Sequence, residues 1–191
     1  MNTSSYIEKI HSAISSASHP PPPDPGLFKP TTVMALFLFS REPALLFIRK
    51  ADREGYVWRN QMAFPGGHVD KTDASARQAA FRELYEETGI VSDNVQYIGS
   101  LGHFQTVKNR DIQAFTGVWN QKDDLVFDTE EISMVLEIPF ETLWQTHREN
   151  GYAGHNPGVM ELTYPYKDVV IWGVTAKIVH HLLEVVGNIS E

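Results

Sequence analysis

Apolar residues in this chain fall into short runs that predict β-strands separated by turns. Residues 33–39 and 44–49 are two such runs, and the polar stretch between them, residues 40–43, ends in proline. They predict a strand pair joined by a turn. Residues 62–64 predict a short strand that leads into a pair of glycines. Three further strands are predicted, at residues 95–104, 112–119 and 169–172.

The N-terminal region predicts a helix followed by a spacer. Residues 5–17 carry three isoleucines on one side of a helix, Ile7, Ile10 and Ile14. Residues 20–26 are rich in proline, so they cannot continue a helix or join a central strand, and they favour a polyproline spacer. We therefore divide the chain into an N-terminal arm with this spacer, residues 1–29, and a single domain, residues 30–188.

A second helix is predicted at residues 74–88. Thr72 or Asp73 can cap its N-terminus, and Gly89 can cap its C-terminus. Two later segments have the same helical spacing, residues 139–148 and 173–186. Because strands alternate with helices that can cover both faces of a sheet, we expect an α/β fold, specifically an α/β/α sandwich with a mixed central sheet.

Three carboxylates lie on one stripe of the helix at residues 74–88. Glu83, Glu86 and Glu87 stand at positions i, i+3 and i+4, so their side chains can converge. Taken alone, this stripe is also compatible with a solvated face. Like charges at this spacing destabilise an isolated helix, however, and divalent cations would neutralise them. Mg²⁺ prefers carboxylate oxygens and commonly sits on substrate phosphates, so the stripe points to phosphate chemistry.

The segment from Gly67 to Ile90 resembles the Nudix box, G-x5-E-x7-R-E-U-x-E-E-x-G-U, where U is aliphatic. The second half matches without a gap, from Arg82 to Ile90. In the first half, Asp73 stands at the acidic position, and Arg82 comes one residue later than the pattern requires. We interpret this as a one-residue insertion before the helix, which leaves the role of Asp73 open.

The resemblance implies a Nudix fold and a hydrolase that needs Mg²⁺ or Mn²⁺. It implies metal ligation by the three glutamates, Glu83, Glu86 and Glu87, and by the backbone carbonyl of Gly66. It also implies catalytic roles for Glu83, Glu86 and Arg82, with Arg82 orienting a box carboxylate. The general base would be one of these glutamates or an acid from a loop, and Glu131 is a further candidate metal ligand.

Two flanking stretches resemble the coenzyme A pyrophosphatase subfamily. The first has Arg49, then residues 64–67, Phe-Pro-Gly-Gly, and then Asp70, although Asn60 stands where the subfamily signature has glycine. The second is residues 171–178, which resemble an I-W-G-x-T-A segment but also suit an ordinary strand and helix. The resemblance implies substrate contacts by Arg49, Gly66, Gly67 and Asp70.

The implied substrate is coenzyme A or an acyl derivative, cut to 3′,5′-ADP and 4′-phosphopantetheine. Related branches cleave ADP-ribose, dinucleoside polyphosphates, nucleotide sugars or damaged nucleoside triphosphates, and all of these are nucleoside diphosphate derivatives. A Nudix-fold ligand-binding module without turnover is the alternative from another class. Such modules typically lose box carboxylates, and this chain keeps the three helical ones.

Several other residues are open between a functional and a structural role. Arg49 and Arg59 suit phosphate as well as a solvated surface, and Tyr56 and Trp58 suit base stacking as well as core packing. His103 could be a base or a phosphate donor, although a structural histidine is favoured. Glu130 and Glu131 suit a surface acid as well as a metal ligand, and Glu131 aligns better with the ligand position of the family. We interpret His180 and His181 as a partly exposed pair without a role.

The composition of the chain limits the classes of partner that it is expected to bind. A formal net charge of −8 and a pI of about 5.4 argue against nucleic acid held on a basic surface. The 191 residues contain no cysteine, which excludes disulfides and thiolate catalysis and fits a cytoplasmic protein. No apolar run approaches the roughly 20 residues that span a bilayer, so we expect no membrane partner. The resemblance implies a small-molecule substrate and adds a homodimer as one candidate assembly.

Overall fold

A mixed β-sheet forms the centre of the protein. The structure is a computed structural model that describes residues 3–55 and 58–187. Within these residues, seven strands form one sheet: β1 (Lys29–Phe39), β2 (Pro43–Lys50), β3 (Met62–Ala63), β4 (Gly66–His68), β5 (Val95–Gln105), β6 (Arg110–Trp119) and β7 (Ile132–Pro139). Along its main path the strand order is β3-β2-β1-β6-β5, while β4 pairs with β1 and β7 pairs with β2.

The sheet contains parallel and antiparallel neighbours. β1 runs parallel to β6, from Lys29 opposite Arg110 to Phe37 opposite Val118. The other pairings in this sheet are antiparallel, including the predicted turn-linked pair β1–β2. The predicted mixed sheet is therefore confirmed. A separate hairpin joins β8 (Thr163–Tyr166) to β9 (Val169–Trp172). β9 was predicted, whereas β8, which contains Pro165, was missed.

Four α-helices and a short 3₁₀ helix (Ser92–Asn94) accompany these strands in the described part of the chain. The α-helices are α1 (Thr3–Ser16), α2 (Ala76–Thr88), α3 (Phe140–Glu149) and α4 (Gly173–Val186). Gly89 caps α2 in a left-handed conformation with a φ of 77°, as predicted. The predicted N-cap was wrong, because the side chain of Ser75, and not Thr72 or Asp73, accepts the hydrogen bond from Gln78 N.

Both faces of the sheet are covered. Along β1, Val33, Ala35 and Phe37 contribute to one core with residues of α1, α3 and α4. The alternate positions, Met34, Leu36 and Leu38, form a second core with Ala80 and Leu84 of α2. This is the expected α/β/α arrangement, and it leaves α2 alone on its face among the described helices. No helix among the described residues is long and apolar enough to cross a bilayer.

The N-terminal arm is packed onto the body of the protein. Ile10 and Ile14 of α1 are buried in the larger core, and α1 packs against β5 and α4. In the segment that follows α1 in the chain, the Pro20 carbonyl accepts a hydrogen bond of 2.9 Å from His103 N. A Cβ added at Gly102 would lie 2.6 Å from the same carbonyl, so the chain passes very close to β5 there. The boundary proposed at residues 29 and 30 remains a prediction.

Truncation of Ile14 tests whether the arm contributes to folding. Ile14 is 3% exposed, so Ile14→Ala is expected to lower the free energy of unfolding by about 2–5 kcal/mol. Chemical denaturation monitored by tryptophan fluorescence measures this change. The matched control is Leu27→Ala, because Leu27 is 62% exposed and should cost under about 0.5 kcal/mol. Equal stability of the two variants would show that α1 is a dispensable appendage.

Candidate active site

A cavity of about 540 Å³ opens beside α2 and the short strand β4. It is also bordered by the end of β2, the start of β6, the loop before β7 and the first turns of α4. Many of the residues that line it are charged residues or glycines. They include Lys50, Arg53, Gly66, Gly67, His68, Glu83, Glu87, Arg110, Glu130 and Glu131. Carboxylate and positively charged side chains thus lie together in a concave site that is large enough for a small ligand.

Glu87 is the most buried of the three box carboxylates. Because α2 packs on the sheet through Ala80 and Leu84, its Glu87 side faces β2 and β4. The residue is 6% exposed and forms an ion pair with Lys50 Nζ. Gly66 N donates a hydrogen bond of 2.8 Å to Glu87 Oε2. Burial raises the pKa of the Glu87 carboxyl, although Lys50 and the Gly66 N–H favour its ionised form.

Arg82 connects the loop before α2 to the other two box glutamates. Its Nε and Nη2 donate to the two oxygens of Asp73, at 3.1 and 2.9 Å. Its Nη1 donates to Glu83 Oε1 at 2.9 Å and to Glu86 Oε2 at 3.0 Å. Nη2 also donates to the His68 carbonyl at 2.9 Å. One guanidinium therefore fixes three carboxylates and the end of β4.

Asp73, whose role the sequence left open, anchors this arginine. Its side chain is 4% exposed, and its Oδ2 accepts a further hydrogen bond from Asp70 N at 2.8 Å. The Arg82 guanidinium, together with the Asp70 N–H, lowers the pKa of the Asp73 carboxyl below its ordinary value. The extra residue in the loop thus accompanies an arrangement in which Asp73 positions Arg82 and leaves N-capping to Ser75.

The glycine pair brings backbone against the carboxylates. A Cβ added at Gly67 would lie 2.3 Å from the carboxyl carbon of Glu83, and one at Gly66 would lie 2.1 Å from the Thr32 carbonyl oxygen. Any side chain at Gly67 would therefore occupy the place of the Glu83 carboxylate. Glycine at both positions lets β4 lie between β1 and α2.

The predicted site residues divide into two groups. Gly66, Gly67, Glu83, Glu87 and Glu131 line the cavity. Two others lie on the outer side of Arg82, namely Glu86, whose side chain is 55% exposed, and Asp70, whose side chain is 62% exposed. The structure thus brings the Arg82 network together around Glu83, while Glu86 and Asp70 extend it toward solvent.

Arg49, which was predicted to contact substrate, does not line the cavity. The cavity wall contains Lys50 and not Arg49. Successive residues of a strand face opposite sides, and Leu45 and Phe47, which share the parity of Arg49, pack in the core opposite α2. Ala44 and Leu46, two of the positions with the parity of Lys50, pack in the core on the α2 side. This alternation places Lys50 on the side of the sheet that α2 covers, where it pairs with Glu87.

Other cavity residues were also missed by sequence reasoning. Arg53 lies after β2 and contacts Glu130. Its Nη1 donates a hydrogen bond of 3.3 Å to the backbone carbonyl of Glu130. Arg110 begins β6 and contacts the imidazole of His68. Neither arginine lies in a recognisable motif, and only the pairing of distant segments brings them to the cavity.

The aromatic and histidine candidates have distinct surroundings. Trp58 lines the cavity, and Lys108 Nζ lies 4.7 Å from the centre of its ring. Tyr56 lies outside the described residues. Arg59 is exposed and lies 3.9 Å from Asp52, outside the cavity wall. His103 Nδ1 lies 2.7 Å from Asp111 Oδ2, a contact between β5 and β6 that suits a structural histidine.

The oxygen donors suit a hard divalent cation. Glu83, Glu87 and Glu131 offer carboxylates to the cavity, and β4 places peptide groups beside them. The glycine at position 67 provides space that a Cβ would fill, directly at the Glu83 carboxylate. Oxygen ligands with room for water are the set that Mg²⁺ and Mn²⁺ prefer. In the structure Lys50 pairs with Glu87, and Arg82 pairs with Glu83.

Comparison with known proteins found a matching family model and several relatives. A family model described as the NUDIX domain matches residues 29–162. A Yersinia pestis protein named uncharacterized Nudix hydrolase NudL is 31% identical over 148 residues, which cover 76% of this chain and 74% of that protein. A Yersinia pseudotuberculosis protein of the same name gives the same figures.

Solved structures show the same fold. A MutT/nudix family protein from Enterococcus faecalis superposes with a TM-score of 0.55 at 16% identity, covering 98% of this chain and 70% of that chain. A protein from Deinococcus radiodurans gives a TM-score of 0.55 at 17% identity, covering 83% of this chain and 87% of that chain.

Proposed function

The chain belongs to the Nudix family, and from this premise we propose that it hydrolyses the diphosphate linkage of coenzyme A and its acyl derivatives in a reaction dependent on Mg²⁺ or Mn²⁺. The observation that carries the hydrolytic part is the joint placement of Glu83 and Glu87 in a cavity that also holds Lys50, Arg53 and Arg110. Such a site offers carboxylates for metal and cations for phosphate oxygens.

The glutamates of α2 and the Gly66 carbonyl would hold the cation. When bound, it neutralises charge on the diphosphate and lowers the pKa of a coordinated water. Glu87 is the deepest ligand in this proposal, since its carboxylate is already fixed between Lys50 and the Gly66 N–H. Glu131 approaches from the loop before β7 as an additional ligand.

Proton transfer is assigned to the glutamates bound by Arg82. As the water oxygen bonds to phosphorus, the bond from phosphorus to the bridging oxygen breaks, and a carboxylate of Glu83 or Glu86 takes the water proton. Arg82 acts as a positioning residue, because its Nη1 fixes both carboxylates, at 2.9 and 3.0 Å. Asp73 in turn fixes the rotamer of Arg82 through two hydrogen bonds.

The choice of coenzyme A rests on the flanking sequence stretches and on the cations of the cavity. Coenzyme A carries a 3′-phosphate in addition to its diphosphate, so its recognition needs positive charge beyond the metal site. Arg53 and Arg110 supply that charge, and Trp58 offers an aromatic face for the adenine. Asn60, which departs from the subfamily signature, has a positive φ of 59° in the turn that follows Trp58.

A substrate panel tests this proposal. The purified protein with Mg²⁺ or Mn²⁺ is expected to convert coenzyme A to 3′,5′-ADP and 4′-phosphopantetheine, as separated by chromatography. Dephospho-coenzyme A is the matched comparison, and we expect a kcat/KM lower by at least about 10-fold, since a lost charged hydrogen bond costs about 1.5–3 kcal/mol.

The remaining members of the panel distinguish the alternatives. ADP-ribose, a dinucleoside polyphosphate, a nucleotide sugar and an oxidised nucleoside triphosphate each present a diphosphate without the pantetheine arm. If any of them has a higher kcat/KM than coenzyme A, the assignment of coenzyme A as substrate is wrong. The assignment of the protein as a metal-dependent hydrolase would then still hold. Absence of metal-dependent turnover on every substrate would favour a ligand-binding module.

A further inference from the structure

A second cluster of ligating side chains lies between α3 and α4. His147 of α3 stands beside His180 and Glu184 of α4, and the ligand atoms of these three side chains all lie within 4.8 Å of one another. His180 and Glu184 are four residues apart, so they share one helix face. Among the described residues this is the single set of three histidine or acidic side chains gathered so closely.

His180 is the residue that the surrounding protein leaves unsatisfied. It is 8% exposed, which corrects the sequence interpretation of His180 as partly exposed, whereas His181 is of intermediate exposure. Its Nε2 is buried and makes no hydrogen bond within the described residues. An orphaned buried nitrogen costs roughly 1–3 kcal/mol, so a simple hydrogen-bonded pair of His147 and Glu184 does not account for it. A ligand that engages all three side chains does.

Hydrogen bonds already orient the other two members. His147 Nε2 lies 2.7 Å from Glu184 Oε1, and His147 Nδ1 lies 2.9 Å from the hydroxyl of Tyr164. Gly154 N donates to both oxygens of Glu184, at 3.0 and 3.1 Å. Metal-bound histidines and carboxylates in proteins are typically held by such outer partners.

From this geometry we propose that His147, His180 and Glu184 form a Zn²⁺ site. Two imidazoles and one carboxylate are a common Zn²⁺ ligand set, and the fourth tetrahedral position would hold water. On binding, Zn²⁺ takes the place of the Nε2 proton of the neutral His147 imidazole. Through exchange with solvent, that single proton is carried on Nδ1 instead and is donated to the Tyr164 oxygen. Tetrahedral ligands with bonds of about 2.0 Å lie about 3.3 Å apart, so small side-chain rotations close the set.

The proposed Zn²⁺ site is accessible from solvent, and it is connected through α4 to the cavity of the candidate active site. Glu184 is 31% exposed at its side chain, so the site reaches solvent on that side. Val174, Thr175 and Ile178, in the preceding turns of α4, line the cavity of the candidate active site. Zn²⁺ would tie α4 to α3 and thereby fix this wall of the cavity, while remaining separate from the carboxylates of α2.

Metal titration of matched variants tests the site. The Glu83→Gln/Glu87→Gln double variant, stripped with a chelator, removes Zn²⁺ binding by the box and serves as the background. We expect it to bind one equivalent of Zn²⁺ in competition with a chromophoric chelator and to gain in Tm on binding. Adding His180→Gln is expected to weaken this affinity at least 100-fold, whereas adding His181→Gln at the neighbouring position leaves it within about threefold.

Cobalt spectroscopy supplies a readout that does not depend on the stability of the His180 variant. Co²⁺ added to the same background is expected to give the intense visible bands of a tetrahedral ion, with X-ray absorption showing two imidazoles. The proposal is overturned if the background binds no Zn²⁺, if His180→Gln binds it as tightly as the background, or if the Co²⁺ spectrum is that of a hexaaquo-like octahedral ion.

Discussion

Glu87→Gln is expected to lower kcat by about 10³-fold, the scale observed when one group that stabilises transition-state charge is removed, and equal to about 4 kcal/mol. The amide has nearly the same volume as the carboxylate, so packing against β2 and β4 is retained. It cannot ligate a divalent cation as a carboxylate does, and it removes the charge that Lys50 pairs with. Steady-state turnover of coenzyme A measures the effect.

Matched variants separate the loss of chemistry from the loss of stability. Glu141→Gln, at an exposed position in the first turn of α3, is expected to leave kcat unchanged. Glu87→Gln also leaves the Lys50 ammonium, 13% exposed, without its partner, so the variant should be less stable. Adding Lys50→Met removes that buried charge and is expected to restore stability without restoring turnover. A rate for Glu87→Gln within 10-fold of the wild type would refute its assignment as a metal ligand.

Local sequence rules predicted the framework of the site well. The hydrophobic runs and the 3.6-residue spacing located β1, β2 and the box helix to within a few residues, and Gly89 ends that helix as expected. These features depend on residues close together in the sequence. Strand alternation, helical spacing and the left-handed conformation of a capping glycine are each determined by a few neighbouring residues. The carboxylate stripe of α2 is of the same kind, because it follows from helix geometry alone.

Contacts between distant segments were beyond these rules. Ser75 caps α2 because the Asp73 carboxylate is engaged by Arg82, nine residues later, and no local pattern shows that competition. The burial of His180 depends on how α3 and the loop after it pack on α4, which the sequence of α4 does not contain. Arg110 reaches the cavity through the pairing of β6 with β1. Each failure thus reflects a tertiary contact that overrides or completes a local preference.

Gly67→Ala is expected to lower kcat by roughly 10²-fold while leaving the fold intact, because a displacement of about 1 Å at a reacting group costs about that much. The added Cβ would lie 2.3–2.5 Å from the carboxyl atoms of Glu83, so this flexible side chain must move. Its movement also breaks the 2.9 Å hydrogen bond from Arg82. The control, Gly158→Ala, places a Cβ 3.2 Å from a Glu161 oxygen outside the cavity and should change neither rate nor stability.

A double-mutant cycle shows whether Gly67 acts through Glu83. If the alanine methyl slows the reaction by displacing that carboxylate, Gly67→Ala has little left to remove once Glu83 is glutamine. Gly67→Ala/Glu83→Gln should therefore be about as slow as Glu83→Gln alone, a strong departure from additivity. Rates that multiply would mean that the methyl acts on β4 itself or on bound substrate. The cycle thus distinguishes a glycine that makes room for one carboxylate from a glycine that shapes the cavity.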